Sequence, residues 1–219
     1  MFVGHFAVAF AAKPVAPRVS LATLIVAAGL ADLVWIALFV TGLEQVEIVP
    51  GLMAAHPLDH VSVPFSHSLL MDTVWALLFA GLYFLARRDS RGAWVIVAAV
   101  LSHWVLDVVT HRPDMQLAPW VPTRFGLGLW HSRVGTFMVE GLLWLAAIVV
   151  YLRGTRPNGP AGRYGFSAMI IILTALWLIS LRGGAPQSLP ALAVVDTVFF
   201  AVVLSWAAWM NRARPVRRV

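Results

Sequence analysis

Five stretches of this chain, residues 20–41, 66–86, 92–110, 134–152 and 164–181, are mainly apolar. Each is close to the roughly 20 residues that a helix needs to cross a bilayer. A sixth, residues 190–210, is as long and carries one acid. The 219 residues are 60% hydrophobic and 12% charged. A soluble domain has roughly 45–50% apolar and about 25% charged residues. So much apolar surface cannot hide in a core of this size, which excludes a soluble globular domain, and its hydrophobicity excludes disorder. The expected fold class is all-α: a polytopic membrane helix bundle of about six spanning helices. It reads as a single domain over residues 1–219. Its motifs lie in residues 1–152, and residues 153–219 add two further spans and a basic tail.

Residues 2–12 are apolar but only half a span long, and Lys13-Pro14 ends them. No basic segment precedes them, so they read as a retained half-helix entering the bilayer partway. A cleaved signal peptide, which would remove His5, is the alternative. Lys13 and Arg18, Arg87, Arg88 and Arg91, Arg153, Arg156 and Arg163, and Arg212, Arg214, Arg217 and Arg218 lie on one side of the predicted spans. They are 12 of the 16 basic residues. The positive-inside bias makes both termini cytoplasmic and turns loops 42–65 and 112–133 outward. Topology thus accounts for the net charge of +6, with no call for nucleic acid. Residues 112–132, with three prolines and two tryptophans, read as an irregular lid or an interfacial segment. Without cysteine, any metal site must use His, Asp and Glu.

The spans hold ionisable residues that lipid penalises, at about 2.5–3.5 kcal/mol for Asp at a helix centre. These are Asp32, His67, Asp72, His103, Asp107, Glu140 and Asp196, with His111 at a span end and His5 in the half-helix. Except for Asp196, they fall in one layer of the outer half of the bilayer. His103, Asp107 and His111 follow at i, i+4 and i+8, hence on one helix face. A His and a carboxylate one turn apart can converge on one divalent cation. His67, His5 and Asp32 are candidates to complete the shell, and Ser66 and Ser68 to support it. The plainer reading of each is an interhelical hydrogen bond, such as Asp72 to Ser68. Asp196 is expected to be wet, His56, His60 and His131 to be surface residues, and the ten tryptophans to be mostly anchors or packing.

Gly4-His5-Phe6, Asp32, Ser66-His67-Ser68-Leu69, and Leu101-Ser102-His103 with Asp107 and Thr110 resemble the predicted membrane-bound metal-dependent hydrolases of bacterial inner membranes. That group is distantly similar to helical zinc-dependent phospholipase C. The resemblance runs from His5 to about Glu140. It implies a divalent metal, zinc first with manganese or iron as alternatives, on His5, Asp32, His67, His103 and Asp107. The implied activity is hydrolysis by a metal-activated water, with Glu140 or Asp72 moving the proton. The chain has Ala31-Asp32-Leu33 and Val63-Pro64-Phe65 where members often carry further acid, His and Arg. The number of metals therefore stays open. Arg112, Arg124 and Arg133 on the outward side suit a phosphate ester or lipid head group. Two other readings stand beside this one: a catalytically silent subunit that binds a partner protein or forms an oligomer, and a proton or metal-ion transporter.

Overall fold

The computed structural model describes residues 1–217, so Arg218 of the basic tail lies outside the described residues. The chain is mostly helical, as expected. α1 (Val3–Val15) is the half-helix. The first predicted span is two helices, α2 (Leu21–Ala28) and α3 (Leu30–Val40), bent by 60°. The other spans are α4 (Leu69–Arg87), α5 (Ser90–Thr110), α6 (Arg133–Gly154), α7 (Gly159–Ser180) and α8 (Leu189–Ala213). Among the described residues five helices are thus long and apolar enough to cross a membrane, and six segments are if the bent pair counts as one span.

Local sequence sets these ends. The Ser20, Ser132 and Ser188 hydroxyls accept the N–H groups of Thr23, Gly135 and Ala191, capping α2, α6 and α8. α1 runs past Lys13 and Pro14 to Val15, and Lys13 in its last turn donates from Nζ to the Pro17 and Val19 carbonyls at 3.0 and 2.6 Å, which satisfies a buried ammonium. The bend falls on Gly29, as helix kinks commonly do at glycine. A Cβ there would sit 3.1 Å from the Phe200 ring of α8, so the missing side chain also lets α8 approach.

α1 forms the middle of the bundle and packs against α6, α2 and α5. Its Phe10 meets the rings of Trp144, Tyr151 and Phe166 edge-on, at centroid separations of 5.4, 5.1 and 6.0 Å. Outward faces of the long helices stay apolar: Leu82, Leu145 and Ile171 are 67%, 59% and 67% exposed. Lipid is the solvent that suits such faces.

One end of the bundle is covered by the two long loops. Residues 42–65 contain an antiparallel pair, β1 (Gln45–Ile48) and β2 (Leu58–Ser62). The proline-rich loop is less irregular than expected. It forms a second pair, β3 (Met115–Gln116) and β4 (Arg124–Phe125), and a 3-10 turn at Leu129–His131. It folds back onto the end of α5, where Leu127 N–H donates to Val108 O and Gly128 N–H to His111 O, both at 2.7 Å.

Candidate metal centre

The buried end of the bundle under these loops collects the polar residues of the spans. Asp107 is its centre and is 1% exposed. Its Oδ2 lies 3.0 Å from His103 Nε2, 3.8 Å from His67 Nε2 and 3.8 Å from His111 Nε2. Its Oδ1 lies 3.1 Å from His5 Nε2 and 2.6 Å from the Met1 amino group. Asp32 Oδ1 lies 3.6 Å from both His67 Nε2 and His103 Nε2. The His5 and His103 rings stack at 3.8 Å. All five residues that the sequence and its resemblance nominate as ligands therefore meet at one place.

Each helix contributes for a local reason. The i, i+4 spacing in α5 sets His103 beside Asp107. The bend at Gly29 puts Asp32 in the first turn of α3, where the helix dipole favours an acid. Being half a span long, α1 carries His5 into the same layer.

The outer nitrogens fix the histidine tautomers. His103 Nδ1 lies 2.8 Å from the Ala28 carbonyl, which only accepts, so Nδ1 carries a proton. Ser66 Oγ donates its single proton to Glu44 Oε2 at 2.6 Å. The 2.7 Å contact between Ser66 Oγ and His67 Nδ1 is then a donation from the ring. In their neutral forms both rings turn an Nε2 lone pair towards the Asp32 and Asp107 carboxylates. His103 Nε2 is buried and makes no hydrogen bond. With both rings neutral, two lone pairs would face two carboxylates, an arrangement that a divalent cation would relieve. Outer-shell anchoring of this kind is usual for metal-binding histidines. The donor set of imidazole and carboxylate suits zinc and other divalent transition ions. The groups His67–His103–Asp107 and His5–Asp32–His103 each bring ligand atoms within 4.8 Å of one another.

The remaining candidates are placed differently. Glu140 Oε2 accepts the Val3 N–H at 3.1 Å, so its carboxylate sits against the first turn of α1, and Glu140 also lines the cavity described below. Asp72 is 0% exposed, and neither carboxylate oxygen has a hydrogen-bond partner. It makes no side-chain bond to Ser68, whose hydroxyl donates to the Pro64 carbonyl instead. The arginines are not gathered at the centre. Arg112 pairs with Asp59. Arg133 donates to the Ala54 and Arg182 carbonyls, and Arg124 is exposed in β4.

Two loop residues depart from expectation. His60, in β2, is buried at 7% exposure, and His56, just before it, is half-buried and stacked on Trp130 at 4.0 Å. Asp196 is half-buried and faces the cavity. His131 is exposed, as expected. Asp114 and Glu44, 3% and 2% exposed, belong to this network and have no counterpart in the reading of the sequence. Asp114 lies in the turn after α5, three residues past His111, so the helical spacing does not reach it, and no spacing marks Glu44. Burial pushes His60 and His111 down to about 3 and Asp114 up to about 6.

A cavity of about 410 Å3 opens beside the cluster. His5, Asp32, His67 and Asp107 form its polar end, and Phe6, Ile25, Trp35, Ile36, Phe199 and Phe200 its apolar walls. None of the three arginines lines it. Its volume is within the range usual for small-molecule pockets.

The family model described as YdjM inner membrane protein matches residues 1–212 of the chain. No match is found among curated proteins or among solved structures.

Proposed function

Because the chain belongs to the YdjM inner membrane protein family over residues 1–212, we propose that its buried centre makes it a membrane-embedded metal-dependent hydrolase. The observation that carries this reading is that His67 and His103, each bonded outward through Nδ1, turn Nε2 towards the Asp32 and Asp107 carboxylates, with separations of 3.6 and 3.8 Å for His67 and 3.6 and 3.0 Å for His103. His67, His103 and Asp107 would hold the ion, zinc by preference, with Asp32 and His5 beside them. A divalent ion there supplies Lewis acidity and brings the pKa of its water towards about 7.

The chain's own residues account for the rest. Ser66 and Glu44 hold the His67 ring, and the Ala28 carbonyl holds His103. Glu140 faces the cavity and can accept and return a proton there. Asp72, behind the cluster, is the other candidate for that role. The apolar walls and the depth in the bilayer support an amphiphilic substrate that enters from the membrane. The hydrolysed bond, a phosphate ester or a lipid head-group linkage, would lie at the polar end. Arg112, Arg124 and Arg133 would then act outside the cavity, on the approach of an anionic group. In the proposed orientation both termini are cytoplasmic and the cavity faces outward.

The test is hydrolysis of a panel of long-chain phosphate esters and phospholipids by the detergent-purified chain, with and without zinc. Zinc-dependent release that Asp107→Ala abolishes is the expected result. No turnover together with zinc flux across liposomes would overturn the proposal in favour of transport.

A further inference from the structure

On the loop side of Asp107 a second group of ligating side chains remains, of which the sequence motif includes only His111 and the proposed hydrolytic centre includes none. His60 comes from β2, His111 from the residue that ends α5, and Asp114 from the turn that follows. One ligand atom of each lies within 4.8 Å of the others. The His60 and His111 rings are 4.8 Å apart, and His111 Nδ1 is 3.1 Å from Asp114 Oδ1. All three residues are at least nine-tenths buried. His60 Nδ1 and Asp114 Oδ2 are buried and make no hydrogen bond. The nearest positive group to Asp114 Oδ2 is Arg112, at 3.9 Å, and its guanidinium is already paired with Asp59.

An unpartnered nitrogen and an unpartnered carboxylate oxygen, buried on either side of an imidazole, cost free energy unless something binds between them. The cluster is too tightly held by backbone to open. His111 N–H is bonded to the Asp107 carbonyl at 2.8 Å, and the His111 carbonyl accepts from Gly128. We propose that His60, His111 and Asp114 form a second divalent-cation site, distinct from the centre on His67, His103 and Asp107. Two imidazoles and one carboxylate are the donors of an open zinc-type site, with room for water or substrate. Nδ1 of His111 would bind the ion, and its Nε2–H would then point at Asp107, 3.8 Å away. In that arrangement Asp107 is a ligand of one centre and the supporting carboxylate of the other. His60 and His111 also line the cavity. Two cations facing one cavity suit an anionic ester, because both the attacked group and the departing oxygen carry developing negative charge. This use of the site rests on the hydrolase reading, whereas its existence does not.

The experiment counts zinc in the full chain. Protein in detergent is stripped with chelator, reloaded with zinc, freed of excess by gel filtration and submitted to elemental analysis. Two ions per wild-type chain are expected. His60→Gln and Asp114→Asn, which keep side-chain size, should each retain one ion and the wild-type elution volume. His103→Ala should lose the other ion. One ion in the wild type, or two in His60→Gln and Asp114→Asn alike, would overturn the second site and leave the first standing. No ion in the wild type would overturn both.

Discussion

His67 is held by residues that never reach the centre. Glu44 Oε1 accepts the backbone N–H groups of Phe65 and Ser66 at 2.8 Å, and its Oε2 accepts the Ser66 hydroxyl, which in turn accepts from His67 Nδ1. Ser66→Ala removes the contact to the ring and the hydroxyl's bond to Glu44, and leaves the two backbone N–H bonds to Glu44 in place. We expect it to weaken zinc binding by about 10–100-fold, measured by competition with a chromogenic chelator, with the helical circular dichroism unchanged. Glu44→Ala also strands the buried Ser66 N–H, at about 1–3 kcal/mol, together with the part-buried Phe65 N–H, and should lower the unfolding temperature as well. His5, Asp32, His67, His103 and Asp107 were legible because an ionisable residue within an apolar run is a conspicuous exception. Glu44 and His60 were not, because they lie in a loop whose polar residues look like any others. Their burial depends on where β1 and β2 fold, and no periodicity records that.

Among the elements, the spans were readable from length and hydropathy, and their observed ends differ by only a few residues. The break in the first span was not, since one glycine in an apolar run signals a bend no more than it signals tolerance. What decides it is Phe200, far along the chain, filling the space beside Gly29. Gly29→Val should push α8 away from the bend, cost about 1–3 kcal/mol and lower the thermal midpoint in detergent. The lid makes a similar demand at Gly126. A Cβ there would press on the carbonyls of Arg112 and His111, the latter at 2.6 Å. Gly126→Ala should therefore loosen the segment 112–131. The expected signature is faster amide exchange at Leu127 and Gly128, whose N–H groups now bond to α5, with α4 and α7 unaffected.

For the whole molecule, orientation and cation dependence are the two quantities to measure. The chain has no cysteine, so a single introduced thiol is an unambiguous label. Leu43→Cys should react with a membrane-impermeant maleimide in intact cells, and Arg156→Cys only after lysis, the pattern that the distribution of basic residues predicts. The reverse pattern would invert the bundle and turn the cavity inward. Removing zinc should destabilise the fold as well as empty the centre. At an ion concentration a hundredfold above the dissociation constant, binding stabilises by about 2.7 kcal/mol. Chelation should then lower the midpoint by roughly 5–10 °C for a chain of this length. The packing of α1 against α6 has a further consequence, for synthesis. α1 is made first, yet its partner helix lies more than a hundred residues later. At about 5–20 residues per second the ribosome takes on the order of ten seconds to supply it. During that interval a half-length helix carrying His5 has no bundle to enter. It must wait at the membrane surface or against the insertion machinery, and its place is made only when the fourth span arrives.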